Sequence, residues 1–332
     1  MNYEKEKCIM FVSVLLFAVG LVLLIYGGDW FVDGATGIAR RFRLPDIVVG
    51  ATVVSIGTTL PEVMVSTAGA LQGSGAMAYG NAIGSIICNT ALIAAISITC
   101  NPGPVNVKSM KTPAIFFFLA AAIYCVAAYG LGTFPRWLGF VMLGVFAAYM
   151  ALTVRNGLRS PDAAGETEEE EKVRKLWQEL LLLVGGAAVI AIGADLLVEH
   201  GQIIALELGV PETVVALLFV ALGTSLPELV TTITSLRKGR ASLGVGNVIG
   251  ANVFNLVLVS GVAVSLAPFD VPVENTLLDT GLNLSLVFDI PVMLLVMGLM
   301  ILPAMMHKKL SRWQGLTLLG IYAAFCVCQF VL

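Results

Sequence analysis

The sequence predicts an all-α integral membrane protein of ten transmembrane helices, built as two inverted five-helix repeats. Three observations predict it. Of 332 residues, 58% are hydrophobic and 12% are charged, with a mean hydropathy of +0.92, whereas a water-soluble domain carries roughly 25% charged residues. The charges fall between apolar runs of about 18 residues or more, the length that crosses a bilayer as a helix. The chain also aligns with itself at a constant offset that places Gly57 on Gly223.

The predicted spans are 9–39, 46–71, 76–99, 113–131, 136–154, 177–207, 212–236, 242–266, 285–304 and 313–332. The opening "MNYEKEK" leads into an apolar run that reaches Trp30. That run is too long for a signal-peptide core and lacks a small-residue cleavage site, so it is predicted as an uncleaved first span. Trp137, Trp177 and Trp313 stand at span ends beside Arg136, Lys175 and Arg312, where interfacial aromatics belong. Loops after odd-numbered spans hold sixteen of the nineteen Lys and Arg; the other side has only Lys5, Lys7 and Arg136. The positive-inside rule then places the sixteen in the cytoplasm and both termini outside, in a plasma (bacterial inner) membrane. A miscounted span would have mixed the two sets. The stretch 155–176 contains "GETEEEEKVRK" and divides the chain into 1–154 and 177–332. It is predicted as a solvated cytoplasmic linker, with a calcium-sensing acidic patch as the alternative.

The repeat is strongest where residues 57–93 lie over 223–259, with twelve of 37 positions identical. The paired core motifs extend over 50–93 and 216–259. Five spans per half is an odd number, so the second half enters the membrane from the opposite face. Inverted repeats are a mark of secondary transporters, whose binding sites lie near the midplane where the repeats meet.

Each motif contains a proline and a glutamate inside an apolar span: "GTTLPEVMVS" and "GTSLPELVTT". Pro61 and Pro227 lack an N–H and clash with the carbonyl four residues earlier, so the helices are expected to break near Gly57–Thr59 and Gly223–Ser225. Backbone carbonyls freed at membrane depth need a partner, and a bound cation can serve. Glu62 and Glu228 are close to the centres of their spans, where a charge costs about 2.5–3.5 kcal/mol on insertion scales. Ser55, Thr58, Thr59, Glu62 and Ser66 share one helical face by i, i+3/i+4 spacing. Their mates are Ala221, Thr224, Ser225, Glu228 and Thr232; on the next span Ser85 and Asn89 match Ala251 and Asn255. The side chains supply carboxylate, hydroxyl and amide oxygen, which suits hard cations such as Ca²⁺ and Na⁺. The two histidines and six cysteines form no metal-ligand spacing, so the cysteines are expected to pack as small apolar residues. "GNAIG" and "GNVIG" are GxxxG patterns that permit close helix approach.

These residues resemble the cation/calcium exchanger superfamily, especially prokaryotic sodium/calcium exchangers. The resemblance rests on "GGDWFVDGA", both "G-T-[TS]-L-P-E" phrases and both "GN-x-I-G" phrases, and covers nearly the whole chain. It implies a core of spans 2, 3, 7 and 8, across which long spans 1 and 6 slide. It implies Glu62 and Glu228 as calcium carboxylates, helped by the carbonyls of Thr58 and Thr224. Sodium would use Ser55, Thr59, Ser85, Ala221 and Ser225 through hydroxyls or carbonyls, and Asn89 and Asn255 would complete the centre. Many relatives have Ser at the place of Ala251 and Asp at the place of Asn255; the first change removes a hydroxyl, the second a titratable group. Asp29 and Asp195 would be structural or gating residues. Asp289 before Pro291 and Thr112 before Pro113 read as helix N-cap pairs.

The reading is thus a secondary antiporter that exchanges Na⁺ for Ca²⁺, not an enzyme. Its partners would be inorganic cations and the lipid bilayer, with no organic cofactor, nucleic acid or obligate protein partner. The competitors are a Ca²⁺/H⁺ or K⁺-dependent antiporter and, from another class, a cation channel. The residues contain no paired-Asp, Ser–Lys or HExxH pattern of an intramembrane enzyme.

Overall fold

The computed structural model describes residues 2–159, 174–208, 223–271 and 283–331. Most of the acidic linker and the first part of the seventh predicted span, Ala221 included, lie outside the described residues. The first half forms α1 (Asn2–Phe42), α2 (Asp46–Leu71), α3 (Gly75–Cys100), α4 (Val107–Leu131) and α5 (Arg136–Leu158). The second forms α6 (Leu176–Glu207), α7 (Leu226–Arg237), α8 (Ala241–Leu266), α9 (Ser285–His307) and α10 (Arg312–Val331). Among the described residues, eight of these helices, all but α7 and α10, are long and apolar enough to cross a membrane. Helices α7 and α10 stand at the places of the other two predicted spans.

Most helix ends fall within a few residues of prediction. Helix α4 starts early because Asn106 caps it, accepting from the amides of Lys108 and Ser109. Pro113 therefore lies inside the helix and Thr112 is not its cap; Thr112 Oγ1 instead accepts from Asn156 Nδ2 at 3.0 Å. Asp289 is not a cap either. Its backbone is helical (φ −66°, ψ −50°) and it makes no capping bond; Gln329 Nε2 of α10 donates to its Oδ1 at 2.7 Å.

The expected break around Pro61 is also corrected. The α-helix runs unbroken from Ser55 to Leu71 with Pro61 inside it. The ladder opens one turn earlier, in a π-helical turn at Gly50–Val54, where one inserted residue displaces the i→i−4 bonding. In the second repeat the break is present: Thr224 and Ser225 form a turn, and α7 starts at Leu226 with Pro227 in its first turn, where its missing N–H removes no helical bond. Two further π-helical turns, Asn89–Ala94 and Asn255–Val259, occupy mate positions of the repeats.

Helices α1 and α6 lie antiparallel along a seam of small residues, Gly20 on Gly193, Gly27 on Ile190 and Gly34 on Leu183. This pair is peripheral. Only 22% of the most apolar stretch of α1 and 28% of that of α6 is buried, against 72% for α3 and 83% for α8. Helices α3 and α8 thus hold the centre, and α4, α5 and α9 wrap them around a core that includes Tyr79, Phe117, Tyr149 and Phe254. Two short antiparallel ladders tie the halves together. Strand β1 (Gly103–Pro104) pairs with β4 (Lys309–Leu310), and β2 (Thr133–Phe134) pairs with β3 (Phe269–Asp270).

Candidate cation site

The site begins with absent side chains. A Cβ at Gly246 would meet the Ile47 carbonyl, one at Gly50 the Leu243 carbonyl, and one at Gly250 the Ser55 hydroxyl and the Ala51 backbone. Helices α2 and α8 can therefore approach to main-chain contact, as "GNVIG" predicts. The segment that the repeat offset lays against the matching "GNAIG", residues 213–217, lies outside the described residues.

The close approach brings the polar faces of the two repeats together. Ser55, Thr58, Thr59, Glu62, Ser85, Asn89, Ser225, Glu228 and Asn255 are all buried, both glutamates at 0% exposure, and Thr224 is half-buried. Neither carboxylate faces lipid. Thr59 Oγ1 of the first repeat donates to Glu228 Oε1 of the second at 3.4 Å, and the two glutamates are electrostatic neighbours.

Two residues that the sequence reading did not place in the site hold it together. Asn247 Oδ1 accepts from Thr58 Oγ1 and Ser55 Oγ, each at 3.2 Å, while its Nδ2 donates to Thr231 Oγ1 at 3.0 Å. Its mate Asn81 accepts from Thr224 Oγ1 at 3.3 Å and donates to Ser66 Oγ at 2.8 Å and to the Glu62 carbonyl at 3.3 Å. Each asparagine thus clasps the motif threonine of the opposite repeat. The signal was available, since Asn81 and Asn247 are identical in the repeat and a membrane helix has little reason to carry a buried amide otherwise.

The carbonyls opened by the first π-turn are satisfied by side chains. Tyr149 Oη donates to the Ala51 carbonyl at 2.8 Å. Ser55 Oγ lies 2.8 Å from the Gly50 carbonyl and 2.9 Å from that of Asn247, so its hydroxyl is committed to the interface between repeats. The situation at the centre is different. Both oxygens of Glu62, Oε2 of Glu228, the Ser225 hydroxyl and both amide atoms of Asn89 and of Asn255 are buried without a hydrogen-bond partner. Buried polar atoms normally find partners, and leaving them unpaired in a low-dielectric interior is costly. Every residue in this set carries an oxygen, the ligand atom that Ca²⁺ and Na⁺ take.

Comparison with known proteins identifies the family. The family model described as sodium/calcium exchanger protein matches residues 12–155 and 179–331. An uncharacterized membrane protein of Methanocaldococcus jannaschii is 33% identical over 313 residues, covering 94% of this chain and 96% of that one. The sodium/calcium exchanger MaX1 of Methanosarcina acetivorans is 29% identical over 355 residues, covering 96% and 99%. Among solved structures, the sodium–calcium exchanger NCX_Mj soaked with 2.5 mM Na⁺ and 10 mM Sr²⁺ superposes with a TM-score of 0.79 at 31% identity, over 96% of this chain and 99% of that one. Matched along both halves and over nearly its whole length, the chain belongs to the sodium/calcium exchanger family of membrane transporters.

Proposed function

We propose that the protein is an antiporter that exchanges Na⁺ for Ca²⁺ across the membrane by alternating access, with both ions competing for the Glu62/Glu228 centre. The observation that carries this reading is the set of unpartnered buried oxygens contributed by both repeats. Two carboxylates together carry up to −2, which one divalent ion neutralises and which more than one Na⁺ would be needed to match. Differential affinity of the two ions for the two access states then supplies the coupling. Thr58 and Thr224 lend their carbonyls, since their hydroxyls are bonded to Asn247 and Asn81. Ser85, Thr59, Ser225 and the Ser55 and Ala221 carbonyls serve sodium, and Asn89 and Asn255 close the centre. The relatives named as sodium/calcium exchangers support the choice of ions.

Ten spans in two inverted repeats remain the topology that best accounts for the ladders. Strands β1 and β4 follow the third and ninth helices, and β2 and β3 follow the fourth and eighth. Each ladder joins loops that the charge rule assigns to the same side, which supports the count of ten spans. The peripheral α1–α6 pair is then the element that moves over the core.

Flux in reconstituted vesicles tests the proposal. An outward-directed Na⁺ gradient drives ⁴⁵Ca²⁺ uptake, and Glu62→Gln or Glu228→Gln abolishes it. Uptake driven by ΔpH without Na⁺, or only with K⁺ present, selects a different coupling ion. Downhill Ca²⁺ flux without countertransport selects a channel. Unimpaired exchange in both variants rejects the site.

A further inference from the structure

The two repeats differ at the loop that joins their motif helices, and the difference is one of charge. Lys238, just past α7, reaches α1. Its Nζ lies 2.6 Å from Asp33 Oδ1, 3.4 Å from Asp29 Oδ1 and 2.9 Å from the Asp29 carbonyl. Two residues on, Arg240 pairs with Asp46 at the start of α2, at 3.1 Å. The repeat offset gives the mates. Gln72 stands for Lys238 and Ser74 for Arg240, while the acids persist as Asp195 and Glu199 on α6, the mates of Asp29 and Asp33. Among the described residues Asp195 and Glu199 have no ion-pair partner, and both are exposed.

The packing follows the charge. Helix α1 seats on α7, with Gly28 against Val230 and Thr234, and Val230 packs into the same cluster as Phe31 of α1. Helix α6 touches α2 sparsely, and Met64, the mate of Val230, is 71% exposed. Both long helices meet the first motif at Gly57, through Phe31 and Ala187, but leave its later turn at Met64 open, whereas they close over the matching turn of the second motif.

We propose that Lys238 with Asp29 and Asp33 forms a one-sided ion lock that fastens the α1–α6 pair to the core in this access state, with no counterpart in the opposite state. The inference builds on the alternating-access reading but concerns which state the empty protein prefers. Repeat symmetry by itself makes the two closures alike. The lock breaks that equality, because sliding α1 away from α7 parts Lys238 from both aspartates, and the symmetry-related closure brings Gln72, an uncharged side chain, to Asp195 and Glu199. Lys238 is 28% exposed and the aspartates 38% and 41%. Pairs this accessible shift an equilibrium by about two- to fivefold, enough to bias a transporter and too little to freeze it.

Distance measurement tests the lock without flux. Genetically encoded spin labels at Tyr26 on α1 and Phe140 on α5, both exposed, report the position of α1 over the core in the full-length protein, without Na⁺ or Ca²⁺. Lys238→Gln is expected to raise the minor distance population about two- to fivefold, and Lys238→Arg to leave the wild-type distribution. Gln72→Lys, which supplies the missing cation, is expected to raise the same minor population. Unchanged distributions in both Lys238→Gln and Gln72→Lys overturn the lock, as does a Lys238→Arg protein that shifts like Lys238→Gln. A protein that shows these shifts but no Na⁺-driven uptake keeps the lock and loses the exchange reading; uptake with unmoved distances does the reverse.

Discussion

The phrases "GTTLPE" and "GTSLPE" differ by one hydroxyl-bearing residue, yet they adopt different backbones in the same molecule. In the first, Pro61 rides inside an unbroken α-helix behind a π-turn. In the second, a turn at Thr224–Ser225 precedes a helix that starts at Leu226. The side chains follow suit. Thr59 is bonded to Glu228, whereas its mate Ser225 and both oxygens of Glu62 have no partner. Near-identical local sequence therefore does not fix local geometry here.

Four experiments break or sharpen the comparison. The largest effect belongs to the carboxylates. Glu62→Gln and Glu228→Gln are expected to reduce Ca²⁺ affinity by about 100-fold or more, the scale of breaking a buried charge pairing, ~3–5 kcal/mol. Calorimetric Ca²⁺ titration of the purified protein checks this, and near-normal affinity in either variant would remove that glutamate from the centre. Next come the clasps. Asn247→Ala removes the partner of the Thr58 hydroxyl and one bond each from Ser55 and Thr231 at a fully buried position, and Asn81→Ala acts at a half-buried one. With net hydrogen bonds worth about 1 kcal/mol each, Asn247→Ala is expected to lower thermal stability more than Asn81→Ala. Equal shifts in melting temperature would mean that the two clasps are equivalent after all.

A glycine gives an effect of intermediate size. Gly246→Ala is expected to destabilise by about 1–3 kcal/mol in thermal unfolding through overpacking against α2. An unchanged melting temperature would contradict the main-chain contact of α2 and α8. The smallest effect is a gain. Ala251→Ser restores the hydroxyl that Ser85 supplies in the first repeat and is expected to improve half-saturating Na⁺ by a factor of about five or less. A Ca²⁺-efflux assay at graded external Na⁺ reads it, and weaker Na⁺ activation would place Ala251 outside the sodium path.

Much of this was legible in the sequence because it depends on composition and spacing. Span lengths follow from apolar runs. The two glutamates stood out because a membrane charge is rare and a duplicated one rarer. The rest depended on contacts across the fold. Pro61 promised a break that the π-turn upstream absorbed instead. Asp289 looked like a cap because Pro291 follows, but its partner Gln329 comes from another helix. Asn81 and Asn247 were visible as repeated letters, while their task, holding a threonine of the other half, required the two halves to be assembled.

The ladders β1–β4 and β2–β3 have a mechanical consequence. Each is only two residues long, yet each crosses between the halves, and together they rivet four loops into two fixed seams. Helices α3, α4, α5, α8, α9 and α10 adjoin those seams and make a chassis that resists shear. Helices α1, α2, α6 and α7 adjoin neither, so among the described residues strands leave those four unfastened, the long pair α1–α6 among them.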